Sequence, residues 1–225
     1  MGKRKETRDR IEAQIIELGR RHLVTEGAAG LSLRAIAREL GMVSSAVYRY
    51  VASRDELLTL LLVDAYSELA DAVDAARAAG GPWEGRLRAM AGAARQWAVE
   101  RPAGWALLYG SPVPGYRAPR ERTVGAGTRV VGALFGVIAD GIAAGDIPRS
   151  AVAVAPPLSS EFDALRDEFA FSGDDSAMSK ALLVWAALIG AISLEVFGQY
   201  GPDTFGDPRA VFDLQIDLLL QILKS

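Results

Sequence analysis

The chain has 225 residues, half of them hydrophobic, with 25 Lys+Arg against 28 Asp+Glu, one histidine and no cysteine. That composition can bury a sizeable core. It excludes disulfides, thiolate nucleophiles and cysteine-ligated metal clusters, and the single histidine, His22, argues against histidine-based metal sites. Charge is unevenly placed: Met1 to Leu57 carries 11 Lys+Arg against 8 Asp+Glu, net +3, and the remainder 14 against 20, net −6. A basic head on an acidic body confines any polyanion footprint to one end.

Apolar residues recur at spacings of three and four, and no alternating run is bounded by tight-turn dipeptides, so the expected fold is all-α. Helices are expected over Arg8–Glu26, Leu33–Leu40, Ser44–Tyr50, Arg54–Ala79, Trp83–Glu100, Ala103–Tyr109, Arg120–Ala144, Leu158–Phe169, Asp175–Tyr200 and Pro208–Leu223. Ser32 stands where its hydroxyl can accept the unpaired amides of the second helix; Ser53 has the same place before the fourth, with Glu56 as capping-box partner. "AAGGP" (Ala78–Pro82) ends a long helix, the prolines of "YGSPVPGYRAP" (Tyr109–Pro119) enforce a loop, and Asp146–Pro157 is the other long connection.

The opening "MGKRKETRDRIE" has no apolar core or cleavage site of a signal peptide. The longest uncharged helical run, Ala181 to Leu194, is short of the roughly 20 residues that span a bilayer. A soluble cytoplasmic protein without a membrane partner is expected. "GKRKETR" (Gly2–Arg8) reads either as a solvated terminus or as an arm for phosphate or the minor groove. His22, on an apolar helix face, reads as a packing residue.

Leu31 to Val51 describes two short helices joined by a turn at Gly41, with Ile36, Ala37 and Leu40 facing Ala46 and Val47. This is a helix-turn-helix pattern. Its second helix would present Ser44, Ser45, Tyr48 and Arg49 on one face, at spacings that fit a DNA major groove. A phenol can lie against sugar or a thymine methyl, and Arg49 can pair with phosphate or guanine.

On these residues the chain from about Arg8 to Leu61 resembles the DNA-binding domain of TetR-family transcriptional regulators. The run "EGAAGLSLRAIARELGMVSSAVYRYVASRDELL" carries the match through Gly27, Ser32, Ile36-Ala37, Leu40-Gly41, Tyr48, Ser53-Arg54 and Leu57-Leu58. The resemblance implies phosphate contacts at Ser32, Arg34, Tyr48, Tyr50 and Arg54, and base contacts at Ser44, Ser45 and Arg49. Val43 departs from the family, which often has a capping Ser or Thr there, and leaves Ser44 as the candidate cap. The resemblance implies a head over residues 1–57 and a ligand-binding and dimerisation domain over 58–225, joined by the long fourth helix.

In the acidic part, "ALLVWAALIGAISLEVF" is apolar around nearly its whole circumference and requires burial on all sides. "VFDLQIDLLLQIL" carries Val211, Leu214, Ile216, Leu218, Leu219 and Ile222 on one broad stripe. Two such helices from each of two subunits would form a four-helix interface, with Ala187, Gly190, Ala191, Leu194, Leu214 and Leu218 at its centre. The alternative is internal core of a monomer. Trp97, Trp105, Tyr109, Phe135, Phe162 and Trp185 are candidates to line an apolar ligand pocket, or simply core. "RPAGWALLYGSPVPG" resembles a C-terminal variant found in some TetR-type regulators, whose later motif often has a histidine where this chain has Ile189.

No catalytic constellation emerges. "GAGTRVVG" (Gly125–Gly132) lacks the Lys-Ser/Thr of a phosphate loop and any preceding strand; Gly132 and Gly136 read as helix-packing positions. No catalytic residue, metal or cofactor is expected. The function expected is a ligand-responsive regulator, a homodimeric repressor that binds a palindromic operator on double-stranded DNA and is released by a small, largely apolar effector. The alternative is a helical small-molecule-binding protein without specific operator recognition.

Overall fold

The computed structural model describes residues 2–149 and 153–225, so part of the Asp146–Pro157 connection lies outside the described residues. Among them, helices run in the order α1 (Gly2–Gly30), α2 (Leu33–Glu39), α3 (Ser44–Val47), α4 (Arg54–Ala78), α5 (Trp83–Glu100), α6 (Pro102–Tyr109), α7 (Arg120–Gly127), α8 (Arg129–Ala143), α9 (Leu158–Phe169), α10 (Asp175–Val196) and α11 (Pro208–Lys224). The fold is all-α, as the periodicity requires.

Packing groups the residues up to Glu68 with Arg101–Gly127, and Leu69–Glu100 with Thr128–Ser225. The 25-residue α4, about 37 Å long at 1.5 Å per residue, therefore begins in the first unit and ends in the second. In the first unit, Ile15, Leu18, Leu31, Ile36, Ala37, Val47, Val51, Leu57, Leu58 and Leu61 form a buried core. Ala103 and Leu107 of α6, with Val113 and Tyr116 of the following loop, pack against that core. In the second unit α5, α8, α10 and α11 pack on one another, and α9 packs on α10.

Several boundaries differ from the sequence expectation. Helical turns in α1 begin at Gly2 rather than Arg8, because Lys, Arg and Glu are good helix formers and Arg8 pairs with Glu12 one turn on at 2.7 Å. Regular helix stops at Gly27, whose φ of 66° suits glycine alone. The third helix spans Ser44–Val47 only, with Tyr48–Tyr50 in a turn. Val43 keeps the cap position without a side-chain hydrogen bond, so Ser44 does not replace it and is the first helical residue. The expected helix Arg120–Ala144 divides at Thr128.

Two helical stretches, Arg120–Ala143 and Asp175–Val196, are long and apolar enough by length and composition to cross a membrane, which the count of uncharged residues had not suggested. For α10, tertiary packing accounts for one face of that character and leaves the rest, including Leu183 and Leu194, outside the core, against the expectation of burial on all sides. Met178, Ala181, Val184, Leu188 and Ile192 are buried, and its charges are paired within the unit: Lys180 Nζ donates to Ser225 O at 2.6 Å, and Glu195 accepts two bonds from Arg95. Of the glycines read as packing positions, Gly132 lies against the Phe169 ring, but Gly136 faces open space. On α8 the close approach is at Gly141, where a Cβ would meet the Trp83 ring at 2.8 Å.

Candidate nucleic-acid interface

Leu33, Ile36 and Ala37 hold α2 in the core of the first unit, and Val47 holds α3. Two short helices with few anchors are thereby fixed, because every anchor is fully buried. The Ser32 hydroxyl accepts the Ala35 N–H at 3.3 Å, closing the start of α2, and Gly41, with φ of 66°, makes the turn between them. The remaining side chains point outward: Arg34, Ser44, Ser45, Tyr48 and Arg49 are all exposed, Tyr48 to 44%. An exposed phenol beside a guanidinium with no ion-pair partner among the described residues, on a short helix and its turn, can meet sugar, phosphate and base edges.

Two other residues take different places. Tyr50 is half-buried and packs against the core. Arg54 donates from Nη2 to Ala28 O at 2.9 Å and to Ala29 O at 3.0 Å. Those carbonyls belong to the last residues of α1, past the Gly27 break, where intrahelical partners run out. Arg54 thus clamps the start of α4 to the end of α1. The signal in the sequence was the glycine that ends α1, which leaves carbonyls needing a donor.

Further ties hold the helices that carry the interface. His22 Nε2 lies 2.5 Å from Glu39 Oε1, and Arg21 reaches the other oxygen of Glu39, joining α1 to the end of α2. The His22 hydrogen bond holds the Glu39 carboxyl below the usual carboxylate range. Arg20 joins α1 to Asp64 and Glu68 of α4 at 2.6 and 2.7 Å. The expected Ser53–Glu56 box forms only by half: Ser53 Oγ accepts the Glu56 N–H at 3.0 Å, but the Glu56 carboxylate pairs with Arg122 of α7 at 2.5 Å.

In the second unit, α10 and α11 pack on each other and leave an apolar stripe outward. On α10, Leu183 and Leu194 are 51% and 42% exposed, with Ala187, Gly190 and Ala191 half-buried near them. On α11, Leu214 and Leu218 are 60% and 49% exposed. The single stripe expected on α11 is in fact two: Phe212, Ile216, Leu219, Leu220 and Leu223 face inward, and Leu214, Leu218 and Ile222 face out.

The six aromatic pocket candidates are divided between the units. Trp105 and Tyr109 of α6 belong to the first, their rings tilted by 45° with centroids 4.4 Å apart, with Tyr66 edge-on to Tyr109 at 6.5 Å. Burial, with Tyr66 beside it, pushes the Tyr109 phenol well above its usual pKa, so it stays neutral. Trp97, Phe135, Phe162 and Trp185 belong to the second unit, where Phe135 packs against Phe169 and Phe171 at 5.2 and 5.5 Å. An apolar cavity in that unit, lined by Val73, Met90, Leu134, Val184, Leu188 and Ile216 among others, measures about 10 Å³, barely room for one water, and none of the six aromatics lines it.

Residues 15–61 match the family described as "Bacterial regulatory proteins, tetR family", and residues 87–219 match "Tetracyclin repressor-like, C-terminal domain". The whole chain is 62% identical, over 227 aligned positions, to the HTH-type transcriptional regulator Rv1816 of Mycobacterium tuberculosis strain H37Rv, covering 97% of that protein. The HTH-type transcriptional regulator Mb1846 of Mycobacterium bovis matches to the same extent. Among solved structures, the regulatory protein SCO4313 superposes with a TM-score of 0.79 at 32% identity, over 96% of this chain and 98% of that one. Burial of the helix-turn-helix anchors, exposure of its outward face and these matches lead to one conclusion. The chain belongs to the TetR family of transcriptional regulators, DNA-binding proteins and not enzymes.

Proposed function

We propose that the protein is a repressor that binds a palindromic operator as a homodimer in the cytoplasm and is released by a small, largely apolar effector. The observation that carries this reading is the exposed row Arg34, Ser44, Ser45, Tyr48 and Arg49 on a head whose other face is locked in its core. Residues 1–57 form the reading head and 58–225 the effector and dimerisation part. Ser32, Arg34, Tyr48, Tyr50 and Arg54 meet phosphates; Ser44, Ser45 and Arg49 read bases. Ser44 is free of capping duty, which favours its role at a base edge. Arg54 has one nitrogen on the Ala28 and Ala29 carbonyls and reaches phosphate through the rest of its guanidinium.

The exposed stripe of α10 and α11, with Ala187, Gly190, Ala191, Leu194, Leu214 and Leu218, supports the two-fold interface, since contiguous apolar surface of this kind favours a partner. An isologous contact presents two heads with the symmetry of a palindrome. For the effector, Trp97, Trp105, Tyr109, Phe135, Phe162 and Trp185 remain the candidates. Trp97 supports this best, because its buried indole Nε1 has no acceptor among the described residues, and a buried donor without a partner invites a ligand oxygen. Effector binding shifts the population toward a DNA-incompetent form through a coupling of about 1–3 kcal/mol.

The test is selection from a randomised duplex library at about 0.15 M salt, where weak phosphate-only contacts are screened. Enrichment of a palindrome supports the reading and supplies the probe for effector screening. A folded, dimeric protein that enriches nothing would favour the reading as a small-molecule-binding protein without operator recognition.

A further inference from the structure

Beside the reading face, Lys5, Thr7 and Arg8 of α1 line an open cleft of about 540 Å³ together with Arg49 and Tyr50. Because α1 is helical from Gly2, Lys5 and Arg8 are three residues apart on a helix and share a face, where neighbouring side chains can act on one target. Arg8 gives Nε to Glu12 at 2.7 Å. Its terminal nitrogens, and the charged ends of Lys5 and Arg49, have no ion-pair partner among the described residues. Three cations therefore converge on a cleft to which Thr7 adds a hydroxyl and Tyr50 a phenol. No carboxylate is among the described residues that line it.

We propose that Lys5, Thr7 and Arg8 join Arg49 and Tyr50 to form a seat for a backbone phosphate of double-stranded DNA. The proposal rests on the reading of the head as a DNA binder and extends the contact surface to the amino-terminal turns of α1. A phosphodiester is the fitting occupant on two grounds. The lining is cationic and rich in hydroxyl donors, which suits a phosphate oxygen. It is also continuous with the turn that carries Tyr48 and Arg49, so a duplex engaged by that turn brings its backbone alongside. The helical register of Lys5 and Arg8 sets this apart from a frayed, merely solvated terminus.

The test compares the full-length protein with the Lys5→Ala/Arg8→Ala double variant on a duplex selected by the unaltered protein, titrated between 0.05 and 0.2 M salt. Arg34→Ala reports on the proposed reading face, and Arg77→Ala/Arg88→Ala removes the same charge from residues outside the head. Loss of one phosphate contact lowers the slope of log K against log salt by about 1, so affinity falls about fifteen-fold at the low end and about four-fold at the high end. That result, with an unchanged melting temperature and a smaller effect of Arg77→Ala/Arg88→Ala, supports the seat. An unchanged slope alongside a weakened Arg34→Ala overturns the seat and leaves the DNA-binding reading intact. Equal losses from both double variants also overturn it, because charge alone would then explain the effect. Absence of salt-dependent binding by the unaltered protein overturns seat and reading together.

Discussion

The hydroxyls of Thr59 and Tyr116 meet at 2.9 Å although the residues stand 57 positions apart in the chain. Thr59 is on the linking helix α4, and Tyr116 is in the proline-rich loop that follows α6. Three residues back on α4, Glu56 pairs with Arg122 of α7. The two contacts fasten the loop and α7 to the first turns of α4, just behind the helix-turn-helix.

Thr59 is fully buried, so Thr59→Val keeps the shape but leaves the Tyr116 hydroxyl unpaired. A loss of about 1 kcal/mol is expected, lowering the melting temperature by about 2–4 °C for a chain of this size. Tyr116→Phe should cost less, because the Thr59 hydroxyl still donates to Asp55 O at 2.9 Å, and the double variant should cost less than the sum, because the shared contact is lost only once. A double-mutant cycle by thermal circular dichroism checks this; strictly additive losses would show that the two hydroxyls do not interact.

Arg54 and Arg34 should separate stability from binding. Arg54→Ala removes two bonds from a charged donor to the Ala28 and Ala29 carbonyls. Discounted for a side chain about one-third exposed, this should cost about 1–2 kcal/mol and speed amide exchange around the α1–α2 junction. Arg34 is exposed and makes no such bond, so Arg34→Ala should change stability by less than about 0.5 kcal/mol while weakening DNA binding in a salt-dependent way. Hydrogen exchange and DNA titration on the same samples decide the point.

The His22–Glu39 contact predicts a pH dependence in the acid range. Folding lowers the Glu39 pKa, so the unfolded chain binds more protons there and stability rises with pH through that window. The contribution is complete above the ordinary carboxylate pKa and is lost as pH falls through the lowered value. Glu39→Gln should flatten the dependence of the urea midpoint on pH between about 3 and 5. A variant with the same pH profile as the parent would exclude Glu39 as a contributor.

Leu214→Asp or Leu218→Asp places a charge on the outward stripe of α11 without touching its buried face. If that stripe meets a second copy, sedimentation velocity will show a shift from dimer toward monomer, with helical content retained and operator binding weakened. Leu194→Asp on α10 should act in the same direction. A dimer that survives all three substitutions would place the interface elsewhere.

The local code of this chain is strong where residues act within a turn or two. Apolar spacing, the Ser32 cap, the Gly41 turn and the prolines before α7 were enough for the helix order and for the outward face of the head, because those signals need no distant partner. What the sequence could not supply was the partner of each polar group. Glu56 abandons its local cap for Arg122, and Arg54 turns to the end of α1, because tertiary packing brings a better or needier partner within reach. Gly141 was indistinguishable from Gly136 until Trp83 was placed against it. The apolar residues of α11 read as one stripe until Phe212, Ile216 and Leu219 were seen to face inward and Leu214 and Leu218 outward. The sequence by itself thus determined the all-helical fold and the exposed row on the head, since periodicity and caps are local. Only the tertiary structure decided which charges are paired, which glycine of α8 a neighbouring ring crowds and which apolar face remains open, since each depends on what the rest of the chain brings alongside.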